Sequence, residues 1–282
     1  MIIVLLGGTG YLGSNIYQKL CENGHKVYCV VREKSDLSKL NVSKEKLIYN
    51  DLSHIEKLFR SIDVDWIING ICTYKPNDSL YGDMLESNII FPLSILNLAI
   101  KYHVKNYMTI GTGLPDKFNV YSYTKSKFSD FGEFLSEKDN VNFVDLKLEM
   151  FYGGVHEPAD RFLKSCKNRL KINENIKLTS GVQKRDIIRV EDVVQIISFL
   201  VNRKLIKGYK IFPLGSGEQH SIKDIVEFMK KSMGSASYLD FGACKDREAG
   251  EPNTIADISW MNNLNIKLTY SFWDGLEEYC LN

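Results

Sequence analysis

The first thirteen residues constrain the fold of this chain more than any other stretch. They combine a short apolar run at 2–6, glycines at positions 7, 8, 10 and 13, and the start of an amphipathic helix. Glycine permits a tight turn and lets an anion approach backbone N–H groups, and the N-terminus of a helix favours negative charge. A strand, a glycine-rich turn and a helix in this order predict a dinucleotide-binding site rather than a surface turn. Its predicted residues are Gly7, Thr9, Gly10, Tyr11, Leu12 and Gly13.

Length and composition narrow the class of protein. A chain of 282 residues can form one large α/β domain or a domain with a smaller lobe. The net charge of +1 gives no indication of the excess of positive charge that binding to nucleic acid or an anionic membrane requires. Six scattered cysteines without a C-x-x-C pair or metal-ligand spacing predict no metal site and a reducing, cytoplasmic environment. We see neither a signal peptide nor an apolar run close to the roughly 20 residues of a membrane span.

Strand and helix patterns alternate from the N-terminus to about residue 150. Strands are predicted at 2–6, 25–31, 47–49, 64–69, 106–110 and 141–148. This alternation predicts an α/β fold with a doubly wound parallel sheet, the Rossmann arrangement, over residues 1–150. We expect residues 151–282 to form a smaller α/β substrate lobe, with about 182–202 returning to the first domain.

A long helix predicted between the fourth and fifth strands contains two unusual residues. Pro92 cannot donate a backbone hydrogen bond, so we expect a kink there. Asn88 is a poor helix former in the middle of the same helix, and we expect its side chain to tie the helix to a neighbouring loop.

The choice of dinucleotide is predicted at the end of the second strand. An acidic residue there binds the 2′-hydroxyl of NAD, whereas an arginine pairs with the 2′-phosphate of NADP. Arg32 favours NADPH over NAD, although Glu33 follows it and an exposed arginine is often only solvated. After the third strand, Asp51 and Leu52 are placed to flank an adenine ring, and Asp51 is equally suited to cap the next helix.

A tyrosine and a lysine follow the fifth strand with helical spacing. Tyr121 and Lys125 are four residues apart and therefore share one helix face, and Tyr123 and Lys127 repeat the spacing. A phenol with a pKa of about 10 is a poor acid–base group at neutral pH unless a nearby cation stabilises its anion. Lys125 can supply that charge. Thr112 ends the strand and is either a hydrogen-bond donor to substrate or a turn hydroxyl, with Thr109 as a second choice.

With these two motifs in place, the chain resembles the extended short-chain dehydrogenase/reductases, which include nucleotide-sugar epimerases, dehydratases and 4-ketoreductases. Three segments are most similar to the CDP-abequose and CDP-paratose synthase branch: residues 121–132, 146–153 and 178–186. The resemblance implies NADPH-dependent reduction of the C4 keto group of a CDP-4-keto-3,6-dideoxyhexose, for surface polysaccharide (lipopolysaccharide O-antigen or capsule). It also implies roles: Tyr121 donates the proton, Lys125 lowers its pKa and holds the nicotinamide ribose, and Thr112 positions the C4 oxygen.

The resemblance further implies contacts with the substrate and with a second copy of the chain. Arg185 and Arg247 match positions that bind the sugar-nucleotide pyrophosphate, with Arg161 as a third, and a guanidinium fork suits phosphate geometry. Each could instead form a surface ion pair. Members of the family commonly form homodimers, and Phe128, Phe131 and Phe134 suit either such an interface or the core.

Departures from the family pattern narrow the reaction. Dehydratases carry an acid immediately after the catalytic threonine, whereas this chain has Gly113, which disfavours dehydration. The loop at 111–114 also lacks the cysteine of the fucose-synthase branch. Two alternatives stay open: a C4 epimerase with tightly bound NAD, and a cofactor-sensing regulatory protein that needs the glycine turn but not the Tyr–Lys pair.

Overall fold

Strands and helices alternate through the first half of the protein. The computed structural model describes residues 1–74, 81–203, 207–246 and 252–282. Its strands are β1 (Ile2–Leu6), β2 (Lys26–Val31), β3 (Leu47–Tyr49), β4 (Trp66–Asn69), β5 (Asn106–Ile110), β6 (Asn142–Leu148), β7 (Met150–Tyr152), β8 (Ile176–Leu178), β9 (Lys184–Arg185), β10 (Ile187–Arg189), β11 (Tyr209–Leu214), β12 (His220–Ser221) and β13 (Leu239–Phe241). Its α-helices are α1 (Tyr11–Glu22), α2 (Leu52–Ser61), α3 (Gly82–Leu85), α4 (Phe91–Lys101), α5 (Val120–Asp139), α6 (Phe162–Lys171), α7 (Val190–Asn202), α8 (Ile222–Ser232), α9 (Ser259–Asn263) and α10 (Phe272–Leu281). A short 3-10 helix (Lys44–Lys46) precedes β3 and a π-helix (Glu86–Ile90) joins α3 to α4.

The main sheet in the described residues has seven strands in the order β11-β6-β5-β4-β1-β2-β3. Neighbouring strands from β3 through β6 pair in parallel. This order is that of a doubly wound Rossmann sheet, and it confirms the predicted fold class. Sequence reasoning missed β11, which lies beside β6 in the sheet. A hydrogen bond from Phe143 N to Gly208 O, at 3.0 Å, joins β6 to the residue that precedes β11.

The chain divides into two compact units. The first comprises Met1–Lys147 and Val194–Phe212, and the second comprises Leu148–Val193 and Pro213–Asn282. The segment that returns to the first unit is therefore 194–212, which overlaps the predicted return of about 182–202 only in its second half. The assignment of cofactor to one unit and substrate to the other stays a prediction.

The core of the first unit lies on both faces of the sheet. The β1 residues Ile3, Val4, Leu5 and Leu6 are fully buried. Such burial on both sides is what a parallel sheet covered by helices requires. This packing holds the carboxyl ends of β1, β4 and β5 in place, and the three strands are neighbours in the sheet. The glycine turn and the loops after β4 and β5 begin at these ends.

The predicted kink at Pro92 takes the form of a π-helical turn. Pro92 lies in the first turn of α4 and has no N–H for the carbonyl of Asn88, so the regular helical ladder is interrupted there. The π-helix immediately precedes it. The Asn88 side chain ties this turn to the loop after β4, because its Oδ1 accepts from Thr73 N at 2.9 Å and its Nδ2 donates to Thr73 O at 3.2 Å. The expected role of Asn88 is confirmed.

One helical run in the described part of the chain, Gly82–Lys101, is long and apolar enough to cross a membrane by length and composition alone. The expectation that no segment approaches this length and apolarity is therefore wrong. A core helix passes the same test, and Ile95, Leu96 and Ala99 of this run are fully buried in the core of the first unit.

The second unit is organised around the buried carboxylate of Asp186. Its oxygens accept from Ser216 N at 2.7 Å, Gly217 N at 3.0 Å and Ala256 N at 3.1 Å. A Cβ on Gly215 would lie 2.3 Å from Asp186 Oδ2, which explains the glycine at that position. Three segments that are distant in the sequence, at 186, 215–217 and 256, therefore meet at one buried side chain.

Candidate active site

The glycine turn after β1 is packed too tightly for side chains. Gly7 has a φ of +78°, and a Cβ there would lie 3.0 Å from the carbonyl carbon of Gly70. A Cβ on Gly13 would lie 2.0 Å from Gly7 O. Helix α1 begins after Gly10, which supplies no capping side chain, so no side chain of the cap residue accepts from the first amides, as at helix N-termini that bind anions. The remaining predicted residues of this site, Thr9, Tyr11 and Leu12, are half-buried around the turn.

Helix α5 separates the two possible Tyr–Lys pairs. Its start is fixed by a capping box, in which Ser122 N donates to Asn119 Oδ1 at 2.8 Å. Lys125 is buried and Tyr121 is partly buried. Tyr123 is 45% exposed, and the Lys127 ammonium lies over its ring. The structure therefore places Tyr121 and Lys125 on the inner face of the helix and the alternative pair at the surface.

Lys125 connects the helix to the loop that follows β4. Its Nζ donates to the carbonyl of Ile71 at 3.0 Å. Burial lowers the pKa of Lys125, while Cys72 and Asp145 oppose this by favouring the charged form. The buried Asp145 accepts from Ser129 Oγ at 2.6 Å through Oδ2, and its Oδ1 has no hydrogen-bond partner among the described residues.

Asp145 also explains a glycine in the loop after β5. A Cβ on Gly111 would lie 2.1 Å from Asp145 Oδ1. The loop that carries Thr112 can therefore pass directly over this carboxylate only because residue 111 has no side chain.

The pKa of Tyr121 lies well above its ordinary value. Burial is the largest cause, the neighbouring Tyr74 and Cys72 raise it further, and a hydrogen bond from Thr112 lowers it. The raised pKa keeps Tyr121 protonated at neutral pH. The expectation that Lys125 lowers this pKa stays a prediction, and the Lys125 ammonium donates to the Ile71 carbonyl.

Thr112 has the turn role predicted for it, because its Oγ1 accepts from Leu114 N at 3.2 Å. It is also near enough to Tyr121 to lower the pKa of that phenol, and its role as a hydrogen-bond donor to substrate stays a prediction. The second choice, Thr109, is buried and accepts from Asn69 Nδ2 at 3.3 Å. Of the two threonines, Thr112 is therefore the one in contact with the phenol.

The residues expected to select the dinucleotide lie at the exposed ends of β2 and β3. Arg32 follows β2 directly and is exposed, and its backbone N donates to Ser35 Oγ at 3.0 Å. Asp51 caps α2, because its side chain accepts a hydrogen bond from Ser53 N at 2.8 Å. The Ser53 hydroxyl also donates to this carboxylate, and the hydroxyl and backbone hydrogen bonds lower the pKa of Asp51. The capping interpretation of Asp51 is confirmed, and Leu52 beside it is 43% exposed.

The three arginines expected to bind pyrophosphate belong to the second unit or lie outside the described residues. The guanidinium of Arg161 lies 4.9 Å from the ring centroid of Phe151 and donates to that residue's carbonyl at 3.3 Å. Arg185 donates to the carbonyls of Lys184, at 2.9 Å, and Pro252. Arg247 lies outside the described residues.

Sequence reasoning missed two residues. Tyr74 contacts Tyr121, with ring centroids 4.7 Å apart, and only its position after a strand end could have drawn attention to it. Glu149 is buried in the second unit, and burial raises its pKa to about 7, with Asp186 adding to the increase and Thr254 and Arg185 opposing it. No local pattern distinguishes this glutamate from a surface one.

Comparison with known proteins places these features in a family. Residues 3–215 match the NAD dependent epimerase/dehydratase family. The chain belongs to this family. The membership confirms the resemblance to the extended short-chain dehydrogenase/reductases that was drawn from the glycine turn and the Tyr–Lys pair.

Known proteins align with this chain over nearly its whole length. A CDP-abequose synthase of Salmonella typhimurium is 27% identical over 296 residues, covering 98% of this chain and 96% of that protein. The UDP-glucose 4-epimerase of Thermotoga maritima, solved with UDP-glucose, superposes with a TM-score of 0.85 at 21% identity, covering 100% of this chain and 98% of that one. The UDP-glucose 4-epimerase of Thermus thermophilus, solved with NAD, has a TM-score of 0.82 at 16% identity, covering 99% of this chain and 98% of that one. The two structures establish the fold.

Proposed function

We propose that this protein is an NADPH-dependent 4-ketoreductase of a nucleotide-linked deoxy sugar of the CDP-4-keto-3,6-dideoxyhexose type. The observation that carries the proposal is the placement of Tyr121 and buried Lys125 one helical turn apart on the inner face of α5. Likeness to a CDP-abequose synthase over 98% of the chain supports the sugar class. The product would serve surface polysaccharide synthesis.

The glycine turn fits a dinucleotide. Only glycine is tolerated at positions 7 and 13, and the bare N-terminus of α1 suits a pyrophosphate. Thr9, Tyr11 and Leu12 would line the same cradle. The Thermus thermophilus relative contains NAD. The preference for NADPH rests on Arg32, whose exposed guanidinium suits a 2′-phosphate at the end of β2.

The reaction needs a hydride and a proton. The reduced nicotinamide supplies the hydride when bound. Tyr121 gives its phenol proton to the C4 oxygen of the sugar as that oxygen gains charge. Thr112, in the loop after β5 and near Tyr121, would donate a hydrogen bond to the C4 oxygen and position it. Lys125 would turn from the Ile71 carbonyl to hold the nicotinamide ribose and add positive charge beside Tyr121.

Guanidinium groups of the second unit would hold the substrate. Arg161 and Arg185 donate to backbone carbonyls, and the planar fork of a guanidinium suits a pyrophosphate. We assign Arg247 the same role from its sequence position alone. Asp51 and Leu52 would flank the adenine of the cofactor.

Two further expectations concern the whole protein. All six cysteines are free thiols, which fits a reducing cytoplasm. On α5, Phe128 is buried whereas Phe131 and Phe134 are 43% and 62% exposed, so the two exposed rings suit a homodimer interface. Sedimentation of the full chain measures that state directly.

A panel of nucleotide 4-keto sugars tests the proposed function. The purified chain is mixed with NADPH and with CDP-, dTDP-, UDP- or GDP-linked 4-keto sugars, and NADPH oxidation is followed. We expect oxidation with the CDP sugar, loss of it in Tyr121→Phe, and full activity in the matched surface variant Tyr123→Phe. No oxidation with any sugar overturns the reductase. Interconversion of C4 epimers without NADPH consumption would establish the epimerase, and NADPH binding without chemistry would establish a sensor.

A further inference from the structure

The first unit buries one basic and one acidic side chain among the residues that the structure describes. Lys125 is 5% exposed and Asp145 is 2% exposed, and every other described lysine, arginine, aspartate and glutamate of that unit is at least partly exposed. A buried charge without an opposite charge is strongly unfavourable, so buried charges in proteins are usually paired. Each of the two residues is therefore the natural candidate to balance the other.

Helix α5 packs directly on strand β6 at these two residues. Phe143 and Asp145 are two residues apart on β6 and therefore point to the same side of the sheet. Each lies against α5, because a Cβ on Gly132 would lie 2.3 Å from the Phe143 ring and Ser129 Oγ donates to Asp145 Oδ2 at 2.6 Å. Lys125 is one helical turn before Ser129 on the same buried face, about 6 Å along the helix axis. The packing therefore brings Lys125 and Asp145 to neighbouring levels of one helix–strand contact.

Stability alone does not explain an acid at position 145. Its Oδ1 is buried and has no hydrogen-bond partner among the described residues, which is unfavourable for a carboxylate oxygen. The chain also leaves room for this oxygen, since a Cβ on Gly111 would lie 2.1 Å from it. Replacing buried ions by apolar side chains often leaves a protein equally or more stable. An acid kept at such a position is expected to act through its charge.

We propose, in an inference that rests on the proposed function, that Asp145 is a positioning residue whose buried carboxylate is the counter-charge that keeps Lys125 an ammonium beside Tyr121. The two groups act on each other through the protein interior, since Lys125 Nζ donates to the Ile71 carbonyl and Asp145 Oδ2 accepts from Ser129. The low dielectric of the interior strengthens such an interaction across a few ångströms. The positive charge that the reduction needs beside the phenol is thus maintained by a carboxylate that is closed off from solvent.

The electrostatic surroundings of the two residues agree with this pairing. The other titratable side chains that act on them come from two loops and two strands: Cys72, Asp116, Lys147 and Tyr209. Burial raises the pKa of Asp145, whereas the Ser129 hydrogen bond and the charges of Lys147 and Lys125 lower it. Burial lowers the pKa of Lys125, whereas Cys72 and Asp145 raise it. Each member of the pair therefore favours the charged form of the other.

Titration of Lys125 tests the counter-charge without turnover. Lysine labelled with carbon-13 at Cε reports its own ionisation, and the Lys125 signal is identified by its loss in Lys125→Met. Asp145→Asn keeps an oxygen that can accept from Ser129 and removes the negative charge, so we expect the pKa of Lys125 to fall by about 1 or more. Asp130→Asn makes the same change on the exposed face of α5, where Asp130 pairs with Lys127, and should leave the titration unchanged. An unchanged Lys125 titration in Asp145→Asn overturns the proposal.

The pH dependence of turnover gives a readout that a purely structural role would not move. The pKa of Tyr121 lies well above its ordinary value and that of Lys125 lies below its own, so Lys125 loses its proton first as the pH rises. In Asp145→Asn we expect the alkaline loss of kcat to begin at a lower pH, with kcat about tenfold below the wild type on the alkaline side and equal to it at pH 6. KM for the sugar should not change. A loss of kcat that is the same at every pH assigns Asp145 to packing and overturns the proposal.

The wild-type protein provides a check that needs no variant at position 145. Carbon-13 labelling of aspartate carboxyl groups shows whether Asp145, assigned through its backbone, is ionised. We expect a carboxylate at pH 7, and a carboxylic acid at that pH overturns the proposal even if Asp145→Asn fails to fold. If the wild type reduces none of the 4-keto sugars while the Lys125 titration responds to Asp145→Asn, the pairing of the two charges is supported and the proposed function is contradicted.

Discussion

Lys125 Nζ donates a hydrogen bond to the carbonyl of Ile71, at 3.0 Å. The same short segment packs against the glycine turn, since a Cβ on Gly7 would lie 3.1 Å from Ile71 N. The loop after β4 therefore joins the turn predicted to hold the dinucleotide to the helix predicted to carry the chemistry.

We predict that Lys125→Met impairs both folding and turnover. The variant leaves the Ile71 carbonyl without its donor, which costs about 1–3 kcal/mol for a buried group. It also removes the charge proposed to act beside Tyr121, so kcat/KM should fall by about 100-fold. Chemical denaturation and NADPH oxidation measure the two effects. Lys127→Met, at the surface pair with Asp130, should change neither, and a similar loss in both variants contradicts the assignment.

Gly13→Ala should destabilise the first unit and abolish dinucleotide binding. Its Cβ would lie 2.0 Å from Gly7 O, and relieving such a clash costs about 1–3 kcal/mol. Thermal unfolding with and without NADPH detects both effects, because a bound ligand raises the midpoint. Gly82→Ala is the control, since nothing lies within 4 Å of its Cβ. If Gly13→Ala is still stabilised by NADPH as the wild type is, the cradle is not the binding site.

Arg32→Gln should change cofactor preference rather than activity in general. A charge-assisted hydrogen bond to the 2′-phosphate contributes about 1.5–3 kcal/mol, so NADPH should bind about 10- to 100-fold more weakly while NADH is unaffected. Calorimetric titration with both cofactors measures this. Lys34→Gln alters another exposed cation of the same loop and should leave both affinities unchanged. Equal weakening of NADPH and NADH by Arg32→Gln would remove the basis for NADPH.

The stability of the protein should depend on pH through Glu149. Burial raises its pKa from an ordinary 4.5 to about 7, so the folded protein keeps this proton where the unfolded chain has lost it. Stability is therefore lost as pH rises from about 4.5 to about 7, by an amount on the order of 3 kcal/mol. Urea unfolding of the wild type and Glu149→Gln at pH 5 and pH 8 isolates this contribution. We expect Glu149→Gln to gain stability relative to the wild type when the pH is raised from 5 to 8. A difference in unfolding free energy that does not change with pH would contradict the buried proton.

Local patterns were sufficient to predict much of the fold and part of the site. The strand, glycine turn and helix at 1–22 are encoded within a few neighbouring residues, as is the sharing of one helix face by Tyr121 and Lys125. Asn88 and Pro92 were identified because each is unfavourable in a helix and needed a specific reason to be there.

Contacts between distant segments were not predictable in this way. The contact of Tyr74 with Tyr121 and the passage of Gly111 over Asp145 depend on how neighbouring strands end, not on spacing along the chain. The hydrogen bond from the Lys125 ammonium to the Ile71 carbonyl was not predictable for the same reason, since that carbonyl belongs to another loop. Strand β11 was missed because its partly exposed residues form a strand only beside β6.

Transfer of deuterium tests the central claim most directly. NADPH carrying deuterium on the transferred position of its nicotinamide is incubated with the protein and a CDP-linked 4-keto deoxy sugar, and the product is examined by mass spectrometry and NMR. The account predicts one deuterium at C4 of the sugar for each NADPH oxidised, and none with Tyr121→Phe. A sugar whose C4 configuration changes with no deuterium incorporated and no net oxidation of NADPH would contradict it.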